Sequence, residues 1–259
     1  MTGISIITIC FNNLSDLQKT CASVDGQEKL PEEHWIIDGS TNDEILNWLQ
    51  NNPGPAYRKW IHERDAGIYD AMNKGISRAS QEIVHILNSG DNYASADVIA
   101  EVVGFFDAHP DIQWISGNIQ MIRGGEAVIV GKPFEVARLY RGMRSVSHPT
   151  WFVKKKVYER TGPYQHLKIA GDYDMMCRIA GEPYAYLNKT VAIFDDSGVS
   201  SSGYLASLKE SRQVFESHFG FSLKLVLWQW RLRMLHYLLQ TSFGKSLFAI
   251  KKKAGLENM

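Results

Sequence analysis

Three cysteines among 259 residues, Cys10, Cys21 and Cys177, are too few and too scattered for a disulfide framework or a zinc cluster. This scarcity predicts a protein of a reducing compartment. No stretch reaches the roughly 18 uninterrupted apolar residues of a spanning helix. The N-terminus shows neither the basic flank nor the cleavage site of a signal peptide. We therefore expect a protein on the cytoplasmic side of the membrane.

The first expected strand is not followed by a glycine-rich phosphate loop. Residues 4–10 form a β-branched run without polar alternation, which is typical of a strand buried on both faces, and Phe11, Asn12 and Asn13 follow it. A dinucleotide-dependent oxidoreductase would carry GxGxxG at this point. A nucleotidyltransferase would carry a loop rich in glycine and arginine. The sequence disfavours both classes of enzyme.

The formal net charge is zero, yet the charges are unevenly distributed. From Phe221 onward there are seven Lys/Arg residues and one acidic residue, which leaves 21 basic and 27 acidic residues before it. The acidic body gives no reason to expect nucleic acid as a partner. The basic tail predicts contact with an anionic surface, such as that of a membrane.

Strand and helix patterns alternate along most of the chain. The expected strands are 4–10, 34–37, 59–63, 83–87, 113–122 and 185–194, with a hairpin return at 128–130 and irregular structure over 132–143. The expected helices are 17–24, 44–50, 69–79, 97–108, 154–160 and 172–180. Alternation of this kind predicts an α/β fold with a mostly parallel sheet and ligands at the carboxyl ends of the strands.

A helical extension is expected over 205–259, after a main domain over 1–204. Gln229, Arg233, His236 and Gln240 recur at steps of four, three and four residues and form a polar stripe, while the other faces are apolar. Such a helix can lie in a membrane interface, pack on the body or pair with a second copy of the chain. The pattern leaves these alternatives open.

Five blocks carry a family resemblance. They are residues 5–12 (SIITICFN), 37–43 (IDGSTND), 65–75 (DAGIYDAMNKG), 87–91 (LNSGD) and 171–178 (GDYDMMCR). In this order they resemble family 2 glycosyltransferases of the GT-A fold, especially bacterial members that build capsule, exopolysaccharide or O-antigen. The resemblance covers about residues 3–202.

The resemblance implies a pocket for a nucleotide-sugar. Its candidate residues are Thr8, Cys10, Phe11, Asn12, Asp38, Asp65, Lys74, Asn88, Ser89 and Gly90. A carboxylate that accepts from uracil N3–H, at Asp38 or Asp65, favours UDP over a cytosine nucleotide. On residue type alone, Asp38 is also a turn former or helix cap, and Lys74 is also an ordinary solvated lysine.

Residues 88–91 stand where the family has its DxD motif. Asn88 replaces the first aspartate and Gly90 the second, so Asp91 alone keeps a carboxylate and is the expected ligand of Mn²⁺ or Mg²⁺. One carboxylate can suffice because the diphosphate and water supply further oxygen ligands. His148 is a second candidate ligand or an acceptor-site residue, although a lone loop histidine is more often structural.

Asp172 occupies the aspartate position of the family's Glu-Asp motif, where Gly171 replaces the glutamate. The resemblance makes Asp172 the catalytic base, although an aspartate at a helix start can also serve as a cap. Asp174 is expected to pair with Arg178 one turn later. Gly198, Ser200 and Ser201 resemble a late loop that closes over the diphosphate, and they also fit an ordinary linker.

These expectations converge on an inverting glycosyltransferase that uses a divalent cation and a UDP-linked donor. The expected acceptor is a glycan hydroxyl on a polyprenyl-diphosphate-linked oligosaccharide, met by a peripheral enzyme at the inner face of the cell membrane. The C-terminal helices also allow a homo-oligomer. The alternative is a non-catalytic, membrane-associated protein that binds nucleotide-sugars, since Asn88 and Gly90 weaken the metal motif.

Overall fold

The computed structural model describes residues 2–123, 126–143, 146–194 and 203–241. The strands of this part are β1 (Ile4–Cys10), β2 (Glu33–Asp38), β3 (Arg58–His62), β4 (Ile83–Ile86), β5 (Asn92–Tyr93), β6 (Trp114–Arg123), β7 (Glu126–Val130), β8 (Phe152–Lys154) and β9 (Tyr184–Phe194). The helices are α1 (Leu14–Asp25), α2 (Glu44–Asn51), α3 (Ile68–Arg78), α4 (Val98–Ala108), α5 (Lys155–Thr161), α6 (Gly171–Ile179), α7 (Tyr204–Phe219) and α8 (Leu223–Gln240). Two 3₁₀ turns span Val136–Arg141 and His148–Thr150.

The described strands form one sheet in the order β3-β2-β1-β4-β8-β6-β9-β5, and β7 pairs with β6 at the side. Strands β3, β2, β1 and β4 are parallel neighbours, and β6 and β9 also pair in parallel. Strand β8 runs antiparallel between β4 and β6. The prediction of an α/β fold with a mostly parallel sheet is confirmed.

Sequence periodicity located the long strands within one or two residues but did not identify β5 and β8. Each has only two or three residues, too few to show a period, and each is paired by residues far away in the chain. The expected hairpin return is confirmed as β7, which pairs antiparallel with β6.

The sheet buries apolar side chains on both faces because its central strands are covered on both sides. Ile7 and Ile9 of β1 belong to a core cluster shared with α3 and α6. Ile4 and Ile6 alternate with them and belong to a second cluster with α4. A parallel sheet with both faces covered presents its polar groups at the strand ends, which is where the candidate site lies.

Helices α7 and α8 pack on this body and on each other. Val214 of α7 is buried in the same core cluster as α6. Leu225, Gln229 and Leu232 of α8 are buried, and Gln229 Nε2 donates to Leu208 O of α7 at 2.7 Å. Gln229, the first residue of the polar stripe, therefore faces the body. In the described residues, no helix has both the length and the apolar character needed to span a membrane.

Candidate active site

The carboxyl ends of β1, β2 and β3 lie level with one another. Cys10 pairs with Asp38, and Asp38 pairs with His62, in the parallel register. The Asp38 side chain is fully buried, and its Oδ1 accepts from the Ser40 backbone N–H at 3.0 Å. Its Oδ2 lies 2.6 Å from Nδ1 of His62. With both oxygens engaged, Asp38 holds the loop after β2 against β3.

The loop after β1 is fastened to the loop after β2. Asn12 has a positive φ of 53°, and its backbone N–H donates to Ser40 Oγ at 2.9 Å. Its amide group exchanges two hydrogen bonds with Thr41, both of 3.1 Å. Phe11, beside it, is 56% exposed. This hydrogen-bonded loop thus presents one exposed aromatic side chain at the strand edge.

Thr8 and Cys10 face inward, away from this open edge. Thr8 Oγ1 lies 2.9 Å from Nε2 of His34, and both residues are fully buried. Cys10 packs in the cluster beneath α1 and α2, and burial raises the pKa of its thiol far above the usual range. The contacts of Thr8 and Cys10 in the described chain are thus with interior residues of the sheet and with the helices that cover it.

Asp65 lies over the loop after β2. Its Oδ1 accepts from the Gly67 backbone N–H at 3.0 Å, and a Cβ on Gly39 would overlap its carboxylate. Lys74, nearby on α3, donates from Nζ to Arg64 O at 2.6 Å and lies 3.3 Å from carboxylate oxygens of both Glu63 and Asp70. Lys74 therefore fixes the loop that carries Asp65.

The turn at 88–91 is held from below by Thr20 of α1. Thr20 Oγ1 accepts from the Gly90 backbone N–H at 3.0 Å and donates to Asp91 O at 2.8 Å. Gly90 has a φ of 106°, a conformation that side-chain-bearing residues rarely adopt, which explains why an aspartate is absent there. Within the described chain, Asn88 Oδ1 and Ser89 Oγ are buried without a hydrogen-bond partner.

Asp172 lies at the start of α6 beside His148. His148 Nε2 lies 4.0 Å from Asp172 Oδ1 and 3.0 Å from the Tyr164 hydroxyl. The Asp172 side chain is 27% exposed, while its Oδ1 is buried without a hydrogen-bond partner among the described residues. Burial raises the pKa of the Asp172 carboxyl, and the nearby His148 opposes this rise.

The 148–150 turn joins this group to the end of β4. His85 of β4 lies with Nε2 3.0 Å from Pro149 O, and β4 runs directly into the 88–91 turn. His148 Nδ1 and Trp151 Nε1 are further buried polar atoms without a hydrogen-bond partner in the described chain. Buried polar atoms are nearly always paired in folded proteins, with protein groups, ordered water or a ligand. These atoms are therefore available to a polar partner.

Tyr69 connects α3 to the start of α6. Its hydroxyl donates to Ile169 O at 2.9 Å and accepts from the Gly171 backbone N–H at 3.0 Å. A Cβ on Gly171 would overlap the Tyr69 ring. The missing glutamate of the Glu-Asp motif therefore has a steric reason, because the tyrosine ring occupies its space. Tyr69 also stacks on Tyr164, with ring centroids 5.8 Å apart.

The loop before α6 is bound by a carboxylate from α7. Glu210 accepts the backbone N–H groups of Lys168, Ile169 and Ala170 at 2.7–3.0 Å. The expected pair of Asp174 and Arg178 is confirmed, with a contact of 2.8 Å. A cleft of about 310 Å³ lies between 66–70 and 166–168, with Tyr69 in its wall.

Sequence reasoning missed three residues of this arrangement: His62, Tyr69 and Glu210. His62 had a usable signal, since it is a polar residue at the end of an expected strand next to β2. Tyr69 lay inside a recognised block without an assigned role. Glu210 gave no signal, because its partners are backbone groups some 40 residues away in the chain.

The structure leaves part of the expected site undescribed. Gly198, Ser200 and Ser201, the candidate diphosphate loop, lie outside the described residues. Among the residues that are described, no group of three or more His, Cys, Asp or Glu side chains is placed to hold a metal ion. A cation at this edge would accordingly depend on few protein ligands.

Comparison with known sequences agrees with the first four blocks, and the fifth lies beyond the range that the family profile matches. The chain matches the profile of Glycosyl transferase family 2 over residues 5–162. An uncharacterized glycosyltransferase of Mycobacterium tuberculosis (strain ATCC 25618 / H37Rv) is 33% identical over 204 residues, covering 76% of this chain and 77% of that protein. A PGL/p-HBAD biosynthesis glycosyltransferase of the same strain is 27% identical over 203 residues, covering 74% and 76%.

Solved structures share the fold. Staphylococcus aureus TarS in complex with UDP-GlcNAc has a TM-score of 0.64 at 15% identity, covering 84% of this chain and 67% of that one. The mannosyltransferase PcManGT from Pyrobaculum calidifontis, in complex with GDP-Man and Mn²⁺, has a TM-score of 0.59 at 15% identity, covering 97% and 84%. The protein belongs to glycosyltransferase family 2, has the GT-A fold and is a glycosyltransferase.

Proposed function

We propose that this enzyme transfers one sugar, with inversion, from a UDP-linked donor to a hydroxyl of a lipid-linked glycan. The observation that carries the proposal is the meeting of polar loops at the carboxyl ends of β1, β2 and β4, with the 148–150 turn next to β4 and Asp172 next to His148. In these parts Asn88, Ser89, His148 and Asp172 have buried polar atoms without a hydrogen-bond partner in the described chain. Leaving such atoms unpaired costs free energy, of about 1–3 kcal/mol for each, unless a ligand pairs with them. A polar ligand with many oxygens, such as a sugar diphosphate, suits this edge.

The nucleotide base is assigned to the edge formed by the loops after β1, β2 and β3. Phe11 offers an exposed ring on which a base can stack. Asp65 is only partly buried and can accept uracil N3–H, while the fully buried Asp38 acts indirectly by fixing the loop beneath it. Asn12 holds the stacking loop in place. The related structures contain UDP-GlcNAc and GDP-Man, each a nucleotide-sugar.

A divalent cation, Mn²⁺ or Mg²⁺, fits the oxygen donors at the 88–91 turn. Asn88 Oδ1 and Ser89 Oγ lack partners in the described chain, and Asp91 adds a carboxylate two residues on. Both ions favour oxygen ligands. When bound, such an ion neutralises negative charge on the departing diphosphate. His148 is assigned to the acceptor side because its Nε2 lies near the Tyr164 hydroxyl and the Asp172 carboxylate.

Asp172 is assigned as the general base. As the acceptor oxygen bonds to the anomeric carbon, the bond from that carbon to the diphosphate oxygen breaks. The acceptor proton passes to the Asp172 carboxylate, and the nucleoside diphosphate leaves on the opposite face. The cleft beside Tyr69 provides an approach for the acceptor, since Tyr69 also touches the start of α6.

The chemistry is tested by donor turnover with water and with glycan acceptors. We expect Asp172→Asn to reduce turnover by about 100-fold or more, the usual contribution of a general base, without weakening UDP binding. The matched control is Asp111→Asn, at an exposed position, which should keep wild-type turnover. Wild-type turnover of Asp172→Asn at saturating donor and acceptor would overturn the assignment.

The donor and cation are tested separately. A panel of nucleotide-sugars with Mn²⁺ should raise Tm most for the true donor, by mass action on the folded state. Asp91→Ala should weaken metal-dependent UDP binding in calorimetry. Equal UDP affinity with and without Mn²⁺, in wild type and variant alike, would remove the metal role.

A further inference from the structure

The outward side of α8 is apolar and open. Five side chains, which we call the outer face, are 53–62% exposed: Leu223, Leu227, Trp230, Met234 and Tyr237. They recur at steps of four, three, four and three residues, so they lie along one side of the helix. The buried residues Leu225, Gln229 and Leu232 repeat with the same spacing on the opposite side. One side of α8 therefore packs on the body while the other is left open.

Cations border the outer face on both sides. Lys224, Arg231 and Arg233 are exposed, and α8 contains no acidic residue. At about 100° per residue, Lys224 and Arg231 fall on one border of the outer face and Arg233 on the other. In the described part of the chain, none of these three cations forms an ion pair with a carboxylate. The outer face is thus an apolar strip between two positive edges.

The sequence segments before and after α8 are also apolar and positively charged. Phe219 and Phe221, at the turn between α7 and α8, are 46% and 74% exposed. After α8, the sequence of 242–259 contains four lysines and one acidic residue. Exposed apolar patches bordered by polar groups mark interaction surfaces in soluble proteins. Here the pattern combines exposed aromatic residues with excess positive charge.

We propose that the outer face of α8 docks this enzyme on an anionic lipid bilayer. The apolar side chains enter the boundary between headgroups and acyl chains, and the bordering Lys and Arg side chains reach back to lipid phosphates. Within the proposed function, on which this point rests, the bilayer is where a lipid-linked acceptor is met. A second copy of the chain fits this face less well, because self-pairing would bring like charges together at both borders.

The test uses the full-length protein and vesicle flotation, without donor or acceptor. Wild type should bind vesicles containing phosphatidylglycerol, bind pure phosphatidylcholine vesicles weakly, and lose binding as salt rises. The variant Leu227→Gln, Trp230→Gln, Met234→Gln should bind at least about tenfold less, because it removes buried apolar area from the contact. These side chains are exposed, so its Tm should stay near wild type.

The matched control replaces exposed apolar residues elsewhere. Ile122 and Ile129, on the β6–β7 hairpin, are 56% and 60% exposed, and their change to Gln should leave vesicle binding unchanged. A second variant, Lys224→Gln, Arg231→Gln, Arg233→Gln, should remove the preference for anionic lipid while the apolar face is intact.

Three results would overturn the proposal. They are wild-type vesicle binding by the apolar variant, equal binding of the wild type to neutral and anionic vesicles, and a wild-type dimer that the apolar variant converts to monomer in light scattering. Because vesicle binding needs no sugar transfer, its failure is distinct from failure of the transferase assignment. Conversely, if Asp172→Asn loses turnover but still binds vesicles, sugar transfer and membrane docking are shown to be separate properties.

Discussion

The Asp172 carboxyl carries a conflict between function and folding. A general base must be ionised, yet burial raises the pKa of this group above its ordinary value of 3.8. Because the folded-state pKa is the higher one, the contribution of Asp172 to stability is present below the ordinary pKa. That contribution is lost as pH rises through the folded-state value. In the proposed role of general base, Asp172 is therefore ionised at some cost in stability.

Asp172→Asn should therefore turn over far more slowly than wild type but be at least as stable at neutral pH. The amide has a similar shape and no charge to desolvate. Its Tm advantage should shrink as pH falls, because wild-type Asp172 then takes up its proton in the folded state. Melting curves between pH 4 and 8 check this, with Asp111→Asn as the exposed control. A variant that is less stable than wild type at pH 7 would contradict the argument.

His148 should set the acidic limit of activity. Its positive charge, when present, favours ionised Asp172 and opposes the effect of burial. In His148→Gln the acidic limb of the kcat profile should move to higher pH, because only the pKa-raising effect of burial remains. Tyr164→Phe is the control, since it removes the hydroxyl 3.0 Å from His148 but leaves the imidazole. A profile that keeps its acidic limb in His148→Gln would show that the pair does not interact.

Gly171 is a position where two parts of the site exclude each other. Gly171→Ala places a methyl group against the Tyr69 ring, and overpacking of this kind costs about 1–3 kcal/mol. We expect lower Tm and lower kcat, because the ring must leave the start of α6. The double variant Tyr69→Ala, Gly171→Ala should recover part of the loss relative to the sum of the single changes. Additive effects would contradict the proposed clash.

At the scale of elements, the long strands and their polar ends were predictable from sequence. β-branched runs and the turn residues after them located β1, β2 and β4, and hence the edge where the site lies. Contacts between residues distant in the chain were not predictable from sequence. Asp38 and His62, for example, meet only because β2 and β3 lie side by side. The packing side of α8 also escaped prediction. Its periodicity shows two opposite faces but not which of them the body covers.

Glu210 fixes the element that carries Asp172. Its carboxylate satisfies three backbone N–H groups in the loop before α6. Glu210→Ala should lower stability by about 1 kcal/mol or more, because three backbone donors, two of them partly buried, lose a charged acceptor. It should also lower kcat more than it raises KM, since the start of α6 loses its support.

The matched control on the same helix is Glu216→Gln. Glu216 pairs with Arg212 at the surface, where an ion pair is worth about 0–1 kcal/mol. Thermal melts of both variants measure the effect on stability, and steady-state kinetics measure the effect on kcat and KM. Wild-type stability in Glu210→Ala would mean that the loop holds its shape without this carboxylate.

At the scale of the whole molecule, the extension after residue 204 has two unlike helices. Helix α7 contributes Val214 to the core cluster and Glu210 to the loop before α6. Helix α8 contacts α7 and the 136–141 turn, and its outer face is open. We propose that α7 is needed for the catalytic domain to fold and that α8 is an added docking element.

Two truncations test this division. A chain of residues 1–220 should fold, bind UDP and lose vesicle binding, because it keeps Glu210 and Val214 but lacks the outer face. A chain of residues 1–203 should melt at a clearly lower temperature or lose cooperative melting, because it exposes core residues of α6 and frees three backbone donors. Circular dichroism melts and UDP titration measure both. If residues 1–203 melted like the full chain, α7 would be dispensable. If residues 1–220 failed to fold, α8 would be part of the catalytic domain itself.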